Sequence, residues 1–212
     1  MSQICKNVHR LFMKLQRYRF PFEERSIPQN GIYILFERGE TAHDTDRIVR
    51  IGTHTGDNQL KSRLKQHFTK ENKDRSIFRK NIGRALLSKA NDPFLEQWEW
   101  DLTTRANKER YLSLLDTKKQ AEVEQEVSRY IRENFSFCVF EVEGKAQRLD
   151  LESKLISTVS LCKECKPSAK WLGLHSPKKK IRESGLWLVN ELYKVPLDEI
   201  EINKILECLV KK

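Results

Sequence analysis

The chain has 212 residues, with 40 Lys and Arg against 30 Asp and Glu, so its formal net charge at pH 7 is +10. The hydrophobic fraction of 38% is sufficient for a core, which excludes a chain that is disordered throughout. The length fits one domain with additions. No apolar run reaches the roughly 18–20 residues of a membrane span, and the N-terminus lacks the apolar stretch of a signal peptide. We therefore expect a cytoplasmic protein with no membrane partner.

The positive charge is concentrated in the first part of the chain. Residues 1–90 carry 19 basic and 9 acidic side chains, residues 91–143 carry 7 and 12, and residues 144–212 carry 14 and 9. A basic segment beside an acidic one is typical of proteins that attract a polyanion. Lys and Arg also keep ordinary proteins soluble, so charge makes nucleic acid the leading candidate partner without deciding the matter.

Hydrophobic periodicity predicts a helix, a hairpin and two further helices in the first half of the chain. The predicted hairpin has strands at Gly31–Phe36 and Arg47–Gly52, with residues 38–46 as a long loop. The predicted helices cover residues 4–20, about 58–69 with Asp57 as the N-cap, and a segment around Phe78 that ends near residue 90. In the second half of the chain, the pattern predicts a strand-like Trp98/Trp100 segment, a long acidic helix over 106–134 and a strand over 135–142. It then predicts a helix over 145–160, a loop-rich segment over 162–196 and a final helix over about 197–210.

Four side chains stand out from this pattern. Tyr33 lies in the first strand, on the face opposite to Ile32 and Ile34, where a tyrosine is usually packing. Arg63 and His67 share one helix face at i, i+4. Such a pair is often an ordinary exposed pair without a function. It also suits binding of a phosphodiester, because arginine forms two hydrogen bonds to phosphate and imidazole transfers protons. Glu152 lies on the apolar stripe of its helix, so it is either an ion-paired edge residue or a ligand of a hard cation such as Mg²⁺.

The order of these features resembles the GIY-YIG nuclease family. Gly31-Ile-Tyr33 matches the first half of its signature, and Arg50-Ile-Gly52 matches the second half except at the tyrosine. Leu60-x-x-Arg63-Leu-x-x-His67 is similar to the family's arginine helix, with a histidine as in its restriction-enzyme branch. Leu149-x-Leu-Glu152 is similar to the helix with the metal-binding glutamate.

The resemblance implies a fold and a reaction. It implies an α/β (α+β) domain with a small, mostly antiparallel central sheet flanked by helices, and hydrolysis of DNA with one Mg²⁺ or Mn²⁺ per active site. Tyr33 would then orient or activate the water, assisted by His67, while Arg63 would neutralise the phosphate and Glu152 would hold the metal. A free tyrosine has a pKa near about 10, so a basic role requires cationic neighbours or the metal.

Two positions depart from the family pattern. Arg50 stands where the second tyrosine is expected, and it would either add charge to the same pocket or mark a loss of catalysis. The asparagine that usually follows the glutamate has no clear counterpart, because Ser160 and the Cys162–Cys165 loop occupy that region. The alternative function is therefore an inactive nucleic-acid-binding module that keeps the fold.

Further basic residues are predicted to bind the DNA backbone, which fixes register and not sequence. They are Lys61, Lys65, Arg79, Lys80, Arg84, Lys178, Lys179, Lys180 and Arg182, with His54 as a further residue close to the site. For Lys178–Lys180, a solvated loop is an equally good interpretation.

The domain organisation follows from the resemblance. We expect an N-terminal helical extension over residues 1–28, a nuclease domain over 29–175 with a helical insertion at about 91–134, and a basic loop and helix over 176–212. With no separate targeting domain evident, the chain is expected to be a site-specific restriction-type enzyme. One active site cuts one strand, so a homodimer is expected for double-strand cleavage.

The five cysteines suit a reducing compartment better than a disulfide framework. Cys162-x-x-Cys165 is the one suggestive pair. A structural zinc needs four ligands, and no second pair of this spacing exists, so two thiols after a helix is the simpler interpretation. A zinc-stabilised adaptor built on this pair is the third functional alternative.

Overall fold

The computed structural model describes the backbone of residues 2–210 and the side chains of residues 2–205. Its strands are β1 Tyr18–Arg19, β2 Gly31–Ala42, β3 Thr45–Gly52 and β4 Phe135–Glu141. They form one antiparallel sheet in the order β1-β4-β2-β3. Its helices are α1 Ser2–Met13, α2 Leu60–Phe68, α3 Ile77–Ala90, α4 Leu95–Glu99, α5 Arg105–Tyr111, α6 Thr117–Asn134, α7 Lys145–Ser160, α8 Lys179–Ser184 and α9 Glu199–Val210. The predicted antiparallel sheet flanked by helices is confirmed.

Strand β2 is central and is buried on both of its faces. Ile32, Ile34 and Phe36 enter the hydrophobic core that also contains side chains of α1 and α7. Tyr33 and Leu35 alternate with them and enter the core formed with α2, α3 and α6. Because successive strand residues point to opposite faces, β2 supports two separate cores.

The hairpin between β2 and β3 differs from the prediction. The predicted loop over residues 38–46 is mostly strand, and the chain reverses at His43 and Asp44, whose φ angles are 54° and 62°. Two consecutive positive φ values at the centre of a two-residue hairpin are typical of a type I′ turn. The polar composition of this segment suggested a loop, but its Glu40 is buried by an ion pair with Arg47, at 2.6 Å between Oε2 and Nη2.

Four features of the helices also differ from the prediction. Trp98 is in helix α4 and not in a strand, and its indole N–H donates to the Lys80 carbonyl at 3.0 Å. The predicted long helix is two helices, because Asp116 caps α6 by accepting from the Lys119 N–H at 2.9 Å. Asp57 is exposed and does not cap α2. Helix α1 ends at Met13, seven residues earlier than predicted, and β1 follows it.

Within residues 2–210, no helix is both long and apolar enough to cross a membrane.

Candidate active site

Three of the predicted charged side chains, each from a different element, meet at one cavity, whose wall also contains the carboxylate of Glu191. Arg50 comes from β3, Arg63 from α2 and Glu152 from α7. The cavity has a volume of about 410 Å³, and its wall also includes Asn81 and Asn190. The sequence predicted the three charged residues as one group, and the structure brings them together.

Glu152 is held at the end of strand β3. Its Oε1 accepts a hydrogen bond from the Thr53 N–H at 2.9 Å, which fixes α7 against the residue that follows Gly52. Burial raises the pKa of Glu152, and the Thr53 hydrogen bond and the charge of Arg50 oppose that rise. The carboxylate is therefore costly in its ionised form, and a cation would relieve that cost.

The two arginines differ in how firmly they are held. Arg50 is 4% exposed, and its guanidinium donates to the carbonyl of Trp187, while its Nε has no hydrogen-bond partner among the described residues. Arg63 is partly exposed and donates from Nη1 to Gln66 Oε1 at 3.0 Å and to the Arg75 carbonyl at 3.2 Å. Arg63 is thus the more accessible of the two cations.

A second, smaller pocket adjoins the first at Arg63. It has a volume of about 270 Å³ and a wall of hydroxyl, amide and imidazole groups: Thr53, His54, Thr55, Gln59, Ser62 and Gln66. Because Arg63 lines both pockets, they form a polar surface on both sides of this guanidinium. Such a surface can accommodate a phosphate with the sugar groups next to it.

Tyr33 and His67 form a buried pair that does not line the cavity. Tyr33 is 1% exposed and His67 is completely buried. The Tyr33 hydroxyl is 2.8 Å from His67 Nε2, so the two side chains are within hydrogen-bond distance. Gly52 lies opposite Tyr33 in the sheet, and a Cβ at that position would be 2.2 Å from the Tyr33 hydroxyl oxygen. The glycine of the second motif therefore provides the space that the tyrosine of the first motif occupies.

The buried histidine is neutral. Burial lowers the pKa of His67 well below its ordinary value, and the positive charges of Arg50, Arg63 and Arg79 lower it further. Its Nδ1 is 2.7 Å from Ser76 Oγ, and this hydroxyl also accepts from the Arg79 N–H at the start of α3. Either tautomer of a neutral imidazole satisfies both contacts. With the proton on Nδ1, His67 Nε2 accepts the Tyr33 hydroxyl proton.

Three of the predicted DNA contacts lie inside the protein. Arg79 is fully buried, and its Nη2 is 2.7 Å from Glu124 Oε2. Lys80 donates to the Glu99 carbonyl at 2.8 Å, and Arg84 makes two hydrogen bonds of 2.6 Å to the Glu99 carboxylate. These three side chains bind groups inside the protein and hold α3 in place, so they are not part of a DNA-binding surface. Sequence spacing gave no sign that their carboxylate partners would come from α4 and α6.

The other predicted DNA contacts are at least partly accessible, apart from His54. Lys61 and Lys65 are partly exposed, and Lys65 pairs with Glu24 at 2.7 Å. The C-terminal group, which consists of Lys178, Lys179, Lys180 and Arg182, is exposed. The Lys180 ammonium donates to the Val189 carbonyl at 3.3 Å, and Val189 lines the cavity, so this group lies near the cavity rim.

His54 lines the smaller pocket but is 5% exposed, and both of its ring nitrogens are engaged. Nδ1 is 2.5 Å from the Gly56 carbonyl, and Nε2 accepts from the Gly31 N–H at 3.4 Å. Burial lowers the pKa of this imidazole. These contacts indicate that His54 holds the loop after β3 and do not favour a direct contact with DNA.

Two asparagines in the cavity wall were not predicted. Asn81 is buried, and its Nδ2 has no hydrogen-bond partner among the described residues. Asn190 is exposed at the same cavity, 38 positions after Glu152. The asparagine of the family pattern was expected near Ser160, where the sequence has none. Only the path of the chain through residues 186–190 places Asn190 beside the site.

The comparisons with known proteins give one match. The family model described as "GIY-YIG domain" matches residues 5–211. No curated protein and no solved structure matches the chain.

Proposed function

Because the chain belongs to the GIY-YIG domain family, whose domains are of nuclease type, we propose that it is a divalent-metal-dependent DNA endonuclease that cuts at specific sites. The observation that carries this proposal is the convergence of Arg50, Arg63 and Glu152 on one cavity. The buried, hydrogen-bonded pair of Tyr33 and His67 accompanies it. Hydrolysis of a phosphodiester needs cationic groups for the charge that develops on phosphate and a way to activate water. The cavity and the Tyr33–His67 pair contain groups suited to both tasks.

Arg63 is the proposed phosphate ligand. Its guanidinium lines both pockets and is accessible, so a phosphate can replace its contacts with Gln66 and the Arg75 carbonyl. Arg50 is proposed to act from the cavity floor, where its charge adds to the positive potential. In this proposal an arginine at the second signature position supports catalysis and does not mark its loss.

Glu152 fits the role of an Mg²⁺ or Mn²⁺ ligand. Hard cations prefer carboxylate oxygens and often take only one or two from the protein, with waters and substrate phosphate as the remaining ligands. Oε1 is oriented by the Thr53 N–H, and no hydrogen bond to Oε2 is found among the described residues. A bound cation would stabilise negative charge on the phosphate and the departing oxygen.

Tyr33 is proposed to orient or deprotonate the attacking water, although its hydroxyl is buried and does not line the cavity. His67, held neutral by burial and by the charges of Arg50 and Arg63, accepts a hydrogen bond from the Tyr33 hydroxyl through Nε2 in one of its tautomers. Ser76 fixes the other side of the imidazole.

The surroundings of the cavity are the proposed source of sequence specificity. The C-terminal group supplies exposed cations near the rim, and the helical insertion supplies polar surface. We also propose that the enzyme acts in the cytoplasm, that it forms a homodimer for double-strand cleavage, and that the domain limits are those expected from the sequence.

The test is nicking of supercoiled plasmid with and without added Mg²⁺. We expect the native chain to convert plasmid to nicked or linear DNA only with the metal. Glu152→Gln should reduce the rate by about 10²-fold or more, because it removes the only proposed protein ligand. Asp150→Asn is the matched control, since this carboxylate is exposed on the same helix. Intact plasmid with the native chain across several substrates and divalent metals would support the inactive binding module instead.

The same assay tests Tyr33. We expect Tyr33→Phe to keep its affinity for DNA and to lose cleavage, because the hydroxyl is removed while the ring stays. Tyr18→Phe is the control, since Tyr18 is also buried and its hydroxyl donates to the Ser26 carbonyl at 2.9 Å, away from the cavity. Cleavage by Tyr33→Phe at the native rate would show that Tyr33 serves only in packing.

A further inference from the structure

A cluster of sulfur and imidazole groups lies on the other side of the sheet from the Tyr33–His67 pair. It consists of Cys5 and His9 from α1, His43 from the tip of the β2–β3 hairpin, and Cys165 from the loop after α7. One potential ligand atom from each of the four residues lies within 4.8 Å of the other three. These side chains come from three separate parts of the chain.

The separations within the cluster are close to those expected around one ion. Cys5 Sγ is 3.3 Å from Cys165 Sγ. Cys165 Sγ is 3.1 Å from His43 Nε2 and 3.9 Å from His9 Nε2. Ligand atoms bound tetrahedrally to zinc at 2.0–2.3 Å lie about 3.3–3.8 Å from one another. Thiols are weak hydrogen-bond partners, so direct bonds among these groups give little reason for them to assemble.

We propose that Cys5, His9, His43 and Cys165 bind one structural Zn²⁺. Two thiolates and two neutral imidazoles are a common ligand set for zinc and compensate its charge. This site is additional to the proposed nuclease site and uses none of its residues.

The two histidines are oriented as zinc ligands usually are. His43 Nδ1 is 3.4 Å from Glu164 Oε2, which leaves Nε2 directed at Cys165. His9 Nδ1 is 3.0 Å from the Cys5 carbonyl, which leaves Nε2 for the metal. Zinc-bound histidines commonly donate their second ring N–H to a carboxylate or a carbonyl in this way. The Ile48 N–H, which is 3.2 Å from His9 Nε2, would lose this acceptor when the metal binds.

The burial of the cluster indicates a structural and not a catalytic metal. Cys5 and His9 are fully buried, Cys165 is 3% exposed and the His43 side chain is 2% exposed. A catalytic zinc keeps one position open to water or substrate, whereas a structural zinc is enclosed by protein ligands. The ion would join α1, the hairpin tip and the loop after α7, which are distant in sequence.

Cys162 is a fifth donor at the edge of the cluster. Its Sγ is 3.4 Å from His43 Nε2. The Cys162-x-x-Cys165 pair lacked a sequence partner because the other ligands are a Cys-x-x-x-His segment near the N-terminus and a single histidine in a turn. Only the fold brings the three segments together.

Elemental analysis of the full chain, purified without chelators, tests the proposal. We expect one zinc per chain in the native protein, and a loss of most of it in Cys165→Ser and His43→Ala. Cys138→Ser is the matched control, because Cys138 is equally buried but lies in β4 outside the cluster, and it should keep its zinc. Glu152→Gln should also keep its zinc, which separates this site from the nuclease proposal. No zinc in the native protein, and none after incubation with Zn²⁺, would overturn the proposal.

A second measurement uses only the native chain. Replacement of zinc by Co²⁺ should give the visible absorption bands of a tetrahedral site and the near-ultraviolet band of cobalt–thiolate bonds. A six-coordinate cobalt spectrum would overturn the proposal, as would a Cys5–Cys165 disulfide found by mass spectrometry in protein purified under reducing conditions. If Cys162→Ser lost the metal while His9→Ala kept it, the assignment of His9 as a ligand would be overturned.

Discussion

At the scale of single residues, the protonation state of His67 links the site to the stability of the fold. The imidazole is buried among three arginines, so its pKa is well below its ordinary value. In the unfolded chain the pKa of the same group is about 6.5. The unfolded state therefore binds more protons than the folded state as the pH falls below that value. The stabilisation is present above the unfolded pKa and is lost as the pH falls towards the folded pKa.

We therefore expect the free energy of unfolding of the native chain to fall between about pH 7.5 and about pH 5.5, and to fall less in His67→Gln. Urea unfolding followed by circular dichroism at both pH values measures the difference. His175→Gln, at an exposed position, should retain the native pH dependence. An equal loss in His67→Gln and in the native chain would show that His67 is not held neutral by the fold.

The sequence predicted the charged residues of the site but not the surroundings that decide their roles. Tyr33, Arg63 and Glu152 were recognisable because each occupies a fixed position in a short motif on a predictable element. The role of Arg79 was not, because it depends on Glu124, which is 45 positions away on a helix whose packing no local pattern reveals. Asn190 was missed for the same reason, since a loop placed it at the cavity.

At the scale of secondary-structure elements, the pairing of β2 with β3 shapes the site. Gly52 is paired with Tyr33, and the space above Gly52 is filled by the tyrosine ring. The hairpin was predicted as two strands, but its tip was not. Alternating polar residues in a long, exposed ribbon cannot be distinguished from a loop without knowledge of their partners, and the burial of Glu40 by Arg47 is such a case.

Gly52→Ala should displace Tyr33. The added methyl carbon would be 2.2 Å from the hydroxyl oxygen and 2.4 Å from Cζ, so the ring must shift and its contact with His67 must change. We expect a loss of about 1–3 kcal/mol in the free energy of unfolding, as is typical of overpacking, together with loss of plasmid nicking. Urea denaturation and the nicking assay measure the two effects.

Gly144→Ala is the control for this substitution, because the nearest atom to its added carbon would be 3.6 Å away. It should leave both properties close to those of the native chain. Native stability and native cleavage in Gly52→Ala would contradict the tight contact between the two signature motifs.

At the scale of the whole molecule, the net charge overstates the number of cations that are accessible to DNA. Of the 19 basic side chains in residues 1–90, six are buried: Arg47, Arg50, Lys73, Arg79, Lys80 and Arg84. The sequence indicated a basic segment correctly, but composition does not show which cations are already paired inside the protein. Of the cations predicted to bind DNA, those that stay accessible lie on α2 and in the C-terminal group.

We expect the salt dependence of DNA binding to correspond to about three to five phosphate contacts. Fluorescence anisotropy with a labelled duplex and the Glu152→Gln variant, which should bind without cutting, gives this slope. Lys180→Ala should reduce the slope by about one contact, whereas Lys118→Ala, on the exposed side of α6, should not change it. A slope equivalent to about ten phosphates would contradict the burial of so many cations.

Side chains along β2 alternate between the two hydrophobic cores, and this alternation restricts which changes in the length of the strand the fold can accept. Neighbouring residues of the strand serve different cores, with Tyr33 on the side of His67 and Ile34 on the opposite side. Single substitutions along β2 disturb one core at a time. Insertion or deletion of one residue would exchange the two faces, moving aliphatic side chains to the site and the tyrosine to the opposite core. We therefore expect the number of residues in β2 after Gly31 to be the same in relatives of this protein, even where their sequences differ.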